Sequence, residues 1–202
     1  MPKLLTVCID LLFPPSPEAL LIRDVTMNTW MTKYQPGHYQ GVLFLSQYHD
    51  SLIRAAIKEN KFHHNAQAAK LLASLLVQHK VAKDEKTIFI PIPLGEKRLR
   101  ERGHNQVTTV LAAAGLLPRT YPQLLKRTTE TAPQSHLTKT ARAENIQKAF
   151  TYQGSDEQLS GFDCVILLDD VVTTGATLQA AVSALRPHLP AKVRLQCLAL
   201  AH

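Results

Sequence analysis

The chain has 202 residues, 45% of them hydrophobic, and its 23 Lys and Arg outnumber 16 Asp and Glu for a formal charge of +7. That is enough apolar material for one main domain with a large core, and the positive balance favours anionic partners, phosphate ligands or nucleic acid, without choosing between them. No apolar stretch is long enough to span a bilayer, which argues against membrane insertion, and the first residues lack the basic start and small-residue cleavage site of a signal peptide, so the cytoplasm is the expected compartment.

Residues 1–40 show no clean period through Trp30, Tyr34 and Gly37, and Pro14-Pro15-Ser16-Pro17 follows Leu11-Leu12-Phe13. An irregular amino-terminal appendage is expected there, with residues 41–202 forming the main domain. Gly41 to Tyr48 has the β-branched and aromatic content of a strand. Asp50 can cap a helix running through Asn60, and a second helix from Ala66 to His79 repeats Ala69, Leu72, Ala73, Leu76 and Val77 on one face. Thr87 to Pro93 reads as a short buried strand stopped by its prolines, because proline removes ladder donors and turns the chain. Lys97, Arg98, Arg100 and Arg102 then crowd a basic segment, and a helix follows from about Gln106 to Ala114. Gly115 to Ala149 is polar, carries Pro118, Pro122 and Pro133, and reads as a long loop with a helical end from Ala141; loops of that length in a compact domain are usually functional. A helix over Gln179–Leu189 and a final strand over Lys192–Leu200 close the chain.

The most informative run lies just before that last helix. Val165-Ile166-Leu167-Leu168 has the branched apolar content of a parallel strand covered on both faces, and Asp169-Asp170-Val171-Val172-Thr173-Thr174-Gly175-Ala176-Thr177 follows at once. In open α/β sheets the carboxyl ends of the strands are where ligands bind. Backbone N–H groups from Thr173 to Thr177 would be unpaired at the start of a helix, where the dipole is positive, so a phosphate is the natural guest. Gly175 allows close approach. Carboxylates only accept hydrogen bonds, so Asp169 and Asp170 suit neighbouring hydroxyls, such as a ribose diol, or water on a metal ion. The combination describes a sugar phosphate. The plainer alternative is an ordinary strand-turn-helix in which Asp and Thr act as caps. A Walker-type nucleotide site is disfavoured because no Gly-x-x-x-x-Gly-Lys-Ser/Thr occurs.

This run resembles the 13-residue signature of type I phosphoribosyltransferases. The resemblance implies an α/β fold with a mainly parallel twisted sheet flanked by helices and a mobile loop or hood. It also implies that Asp169 and Asp170, the catalytic pair, bind the 2′ and 3′ ribose hydroxyls of phosphoribosyl pyrophosphate, and that Val172, Thr173, Thr174, Gly175, Ala176 and Thr177 wrap its 5′-phosphate, with Mg²⁺ carried by the ligand. A Pro-x-Pro strand end, the run from Arg98 through Arg102, Gly103, Asn105 and Gln106, and then Gln134, Arg142, Asn145, Ala149 and Phe150 narrow the resemblance to the ComF branch. Carried over to this chain, Pro91, Pro93 and Leu94 correspond to the pyrophosphate-binding turn. Arg98, Arg102, Asn105 and Gln106 would face the pyrophosphate, and the segment from Arg127 to Arg142, with Gln134, would be the mobile loop. His104 stands where the family usually has Phe.

The resemblance further implies an accessory role in DNA uptake, natural transformation or DNA processing. Single- or double-stranded DNA and DNA-uptake proteins are then the implied partners, and Lys97, Arg98, Arg100, Arg102, Lys126, Arg127 and Lys139 the candidate nucleic-acid contacts. The alternative is an active transferase moving 5-phosphoribosyl to a small amine or nucleobase with release of pyrophosphate. Ile9 to Pro15 is similar to the lead-in of a zinc ribbon in many ComF proteins, but Ser16 and Ala19 stand where cysteines would follow. Cys8, Cys164 and Cys197 are too far apart for zinc knuckles and read as free thiols of a reducing compartment, and the nine histidines show no metal-ligand spacing. No structural zinc is expected.

Overall fold

A computed structural model describes residues 14–81, 84–128 and 149–202. Its main sheet has five strands in the order β1-β2-β7-β6-β3. These are β1 (Gly37–Tyr39), β2 (Val42–Ser46), β3 (Thr87–Pro91), β6 (Cys164–Val171) and β7 (Arg194–Ala201). Only the β1–β2 hairpin is antiparallel; β2, β7, β6 and β3 all run the same way. A small antiparallel ladder of β4 (Leu125–Arg127) and β5 (Phe150–Tyr152) lies apart from it.

The two-faced burial expected of Val165–Leu168 is what the strands show. On β6, Ile166 and Leu168 join one apolar cluster while Val165 and Leu167 join the other; β3 divides Phe89 from Ile88 and Ile90 in the same way. Alternate side chains of a strand point to opposite faces, so a continuous apolar run needs cover on both. Helices α3 (Ser51–Phe62), α4 (Ala66–His79) and α6 (Gln106–Ala113) supply buried residues on one side, and α7 (Ala176–Leu185) with the β4–β5 ladder on the other. Asp50 caps α3 as expected, its Oδ1 accepting from the N–H groups of Leu52 and Ile53 at 2.9 and 3.3 Å. Among the described residues no helix is long and apolar enough to cross a membrane.

Three sequence expectations need correction. The first concerns the amino-terminal segment, whose described part holds α1 (Pro17–Arg23) and α2 (Met27–Met31) rather than irregular chain. Both helices are short and depend on caps, with Ser16 Oγ accepting from Ala19 N–H at 2.9 Å and Thr26 Oγ1 from Thr29 N–H at 3.2 Å, so neither produces a readable period. Position 40 also falls in the tip of the β1–β2 hairpin. Cys8 and the apolar candidates Leu11, Leu12 and Phe13 lie outside the described residues.

The basic segment after β3 is a helix, α5 (Glu96–Arg102), closed by Gly103 in the left-handed conformation. The second correction is that residues 115–128 are ordered into two 3₁₀ turns, Leu117–Arg119 and Pro122–Leu124, followed by β4. Proline at the first or second position of each turn costs no ladder bond there. Gln134, Lys139, Arg142 and the helical end expected from Ala141 lie outside the described residues. The third is that the helix after the acidic pair starts three residues earlier than Gln179 and gives way to a 3₁₀ turn, Arg186–His188, where Pro187 lacks the N–H that would continue it.

Candidate functional site

The carboxyl ends of β3 and β6 lie side by side, with Pro91 paired to Leu168, so the turn after one strand and the acids of the other share an edge. Asp169 and Asp170 occupy the last turns of the β6 pleat. Each carboxylate accepts from the N–H of the next residue, Asp169 Oδ1 from Asp170 and Asp170 Oδ1 from Val171, both at 2.8 Å. Asp170 is buried, and its Oδ2 receives Gln106 Nε2 at 3.0 Å and Lys61 Nζ at 2.8 Å. Gln106 in turn accepts from Arg102 Nη1 at 3.1 Å. The result is a relay of donors from the basic helix to the second acid.

The first acid is held differently. Burial, then the Asp170 charge beside it, pushes the Asp169 carboxyl up to about 7, opposed by the Asp170 N–H and by Lys61. Burial also lowers Arg102, with the Asp170 charge acting against that.

A cleft of about 270 Å³ opens above these groups, lined by Lys61, Pro93, Leu94, Arg98, Arg102, Gln106, Arg127, Asp169, Asp170 and Thr177, among others. It adjoins a hollow of about 30 Å³ formed by Asp169 and the residues from Val171 to Leu178. The N–H groups of Thr173, Thr174, Gly175 and Thr177 have no hydrogen-bond partner among the described residues, which leaves donors at the amino end of α7 for an anion. Ala176 N–H reaches only Thr174 Oγ1, at 3.4 Å.

Gly175 adopts φ +75°, and a Cβ there would stand 3.3 Å from Gln40 Cβ in the hairpin tip. Gln179 Nε2 donates to Gln40 O at 3.2 Å, so the tip and the loop brace each other. Gly175→Ala is therefore expected to cost about 1–2 kcal/mol in backbone strain. Thermal melting should fall by a few degrees, and an unchanged melting temperature would count against this account of the loop.

Most of the residues singled out from sequence converge here, with instructive exceptions. Arg98, Arg102, Gln106, Pro93, Leu94, Asp169, Asp170 and Thr177 line the cleft, and Thr173, Thr174, Gly175 and Ala176 the hollow. Asn105 does not face the cleft with a free amide: its Oδ1 caps α6 through Val107 N–H at 2.9 Å and its Nδ2 donates to Ile92 O at 2.8 Å, so it braces the turn after β3. Pro91 is a buried member of β3. Val172 borders the hollow, but its side chain is in the core and its N–H bonds to Ala201 O at 2.9 Å, so it offers no free donor.

Arg127, grouped from sequence with Lys126 as a nucleic-acid contact, lines the cleft with its guanidinium 5.4 Å from the Phe150 ring centre, whereas Lys126 is exposed on the opposite side of β4. Lys97 and Arg100 are exposed on α5. Lys61 was not singled out. It sits in the last turn of a helix with ordinary amphipathic spacing, and nothing local distinguishes it from a solvated lysine.

Comparison with known proteins agrees with this geometry. Residues 107–202 match the family model described as the phosphoribosyl transferase domain. The chain is 28% identical over 172 residues to the DNA utilization protein YhgH of Salmonella typhi, and equally to that of Salmonella typhimurium, covering 81% of this chain and 74% of each relative. It is 35% identical over 106 residues to the competence protein ComFC of Bacillus subtilis, covering 52% of this chain and 41% of that one. With a mostly parallel sheet, acids at a strand end and a phosphoribosyl transferase match that begins on α6 and runs through the last strand, this chain is similar to the ComF-like proteins that carry a type I phosphoribosyltransferase domain.

Proposed function

We propose that this protein binds phosphoribosyl pyrophosphate with Mg²⁺ and serves as an accessory factor in DNA uptake or processing. The observation that carries the ligand reading is the shared cleft: two strand-end acids, a loop of unpartnered N–H groups and the cations Lys61, Arg98, Arg102 and Arg127 all border it or its adjoining hollow. In this reading the loop takes the 5′-phosphate, the acids take ribose hydroxyls, and Arg98, Arg102 and Arg127 take the pyrophosphate. Among the described residues no three His, Cys, Asp or Glu groups converge on a point, so the ligand itself would supply most of the oxygens around Mg²⁺. Asp169 and Asp170 offer the hard oxygen donors that suit the ion or its water, and the ion's contribution is to neutralise pyrophosphate charge. Calorimetric titration with phosphoribosyl pyrophosphate and Mg²⁺ is expected to give saturable one-site binding. No heat and no thermal stabilisation would remove the reading. Release of pyrophosphate only when an amine or nucleobase is added would identify the protein as an active transferase.

The names of the relatives, one a DNA utilization protein and one a competence protein, support the wider role. Exposed Lys97 and Arg100 on α5 and Lys126 on β4 are cations outside the cleft that a nucleic acid could reach. Binding to random-sequence DNA should therefore weaken with salt, with a slope of about −0.9 in log affinity against log salt for each duplex phosphate neutralised. Fluorescence anisotropy that stays flat at low salt would remove the nucleic-acid part and leave the ligand site standing.

A further inference from the structure

Lys61 enters the cleft through a joint built from buried polar groups. Its neighbour Asn60, 2% exposed, donates from Nδ2 to Gln106 O at 2.8 Å and accepts from Thr109 Oγ1 at 2.7 Å, fastening the end of α3 to the start of α6. His104 strengthens the joint, with its ring nitrogens 2.8 Å from Arg102 O and 3.0 Å from Asn60 O. Lys61 is thereby delivered to Asp170 with its Nζ 2.8 Å from Oδ2 and its side chain only 23% exposed.

The same carboxylate takes Gln106 Nε2 on Oδ2 and Val171 N–H on Oδ1. A carboxylate offers about four lone-pair positions, so three donors leave roughly one open. They also fix its rotation, since each donor belongs to a different element: α3, α6 and β6. Without Lys61, Oδ2 would keep the Gln106 amide and Oδ1 the Val171 N–H, but the buried carboxylate would lose its ion-pair partner and its orientation would be held less firmly.

We propose that Lys61 is a positioning residue for the sugar end of the ligand: it holds Asp170 so that one acceptor position remains for a single ribose hydroxyl. This rests on the phosphoribosyl pyrophosphate reading above. The rival role for the same side chain is a direct grip on the pyrophosphate, and the two differ in which fragment of the ligand feels its loss.

The test is calorimetry with three probes, phosphoribosyl pyrophosphate with Mg²⁺, ribose 5-phosphate, and pyrophosphate with Mg²⁺, on wild type, Lys61→Met and Lys61→Arg, each also in an Asp170→Asn background. Lys61→Met should weaken both sugar phosphates about tenfold and leave pyrophosphate within about twofold, while Lys61→Arg recovers most of the loss. In the Asp170→Asn background Lys61→Met should have no further effect, because the group it acts through is gone. Equal weakening of pyrophosphate, or losses that simply add in the double variant, overturns the proposal. Should Lys61→Met fail to fold, Lys61→Gln carries the same comparison. Wild-type protein that binds neither sugar phosphate would overturn the ligand reading and this proposal with it, whereas wild-type binding that Lys61→Met leaves untouched overturns this proposal alone.

Discussion

Replacing Asp169 with Asn is expected to make the ligand-free protein more stable at pH 8 while weakening its hold on a sugar phosphate. The Asp169 carboxyl is pushed up to about 7 in the folded chain from an ordinary value of 3.8. Below pH ~4 the carboxyl is protonated in both states and costs nothing. As pH rises from there, the unfolded chain gives up the proton and the folded chain keeps it, so stability is lost until about pH 7 and then stays level. The loss is at most about 4 kcal/mol at 1.36 kcal/mol per pH unit. Asn carries no such penalty, so the variant's advantage should be absent near pH 4 and full by pH 8. It should also bind phosphoribosyl pyrophosphate roughly tenfold to a hundredfold more weakly, having lost a charged hydrogen bond to a hydroxyl. Urea unfolding across this pH range decides the first half: a variant no more stable than wild type at pH 8 would show that the acid is not strained.

Trp30→Ala should be among the most damaging single changes in the described chain. Trp30 is fully buried, packs in the cluster under α3 and α4, and donates from Nε1 to Leu71 O at 2.7 Å. Truncating a buried Trp typically costs about 3–5 kcal/mol, and here the Leu71 carbonyl loses a donor as well. Against a total stability of about 5–15 kcal/mol that is a large fraction. Ser16 Oγ to Glu59 at 2.5 Å and Lys58 to Glu18 at 2.7 Å add polar ties from the same segment to α3. We propose that such contacts, and not a zinc ion, hold it in place. Melting should therefore be unchanged by a chelator, and elemental analysis should find no stoichiometric zinc. A Trp30→Ala variant that melts within about a degree of wild type would show that the segment stands outside the cooperative unit.

What could be read from sequence follows from how local each signal is. The α4 boundaries, Ala66 to His79, match the reading because Asn65 caps one end and the apolar face repeats for 14 residues. The acids and the loop after β6 were legible because chemistry and spacing sit in one continuous run. Lys61 and the bracing role of Asn105 were not, since both depend on partners in other elements, Asp170 on β6 for one and Ile92 just after β3 for the other. Which of Lys126 and Arg127 faces the cleft was not legible either, for a related reason. In a three-residue strand, alternation alone decides which of Lys126 and Arg127 faces the cleft, and the register with β5 is invisible without the fold.

The pairing of β3 with β6 also bears on how the protein folds. Ile90 meets Leu167 and Pro91 meets Leu168 across more than 70 intervening residues, of which the described ones hold α5, α6 and the β4–β5 ladder. Parallel pairing at that separation forms slowly, because the entropy of closing the chain must be met before the contacts reward it. A partly folded chain would hold the acids on one strand with no basic helix opposite, and so would have no ligand affinity. Refolding followed by ligand binding would then report the pairing of β3 with β6 rather than the first collapse, and saturating ligand would stabilise the complete sheet selectively.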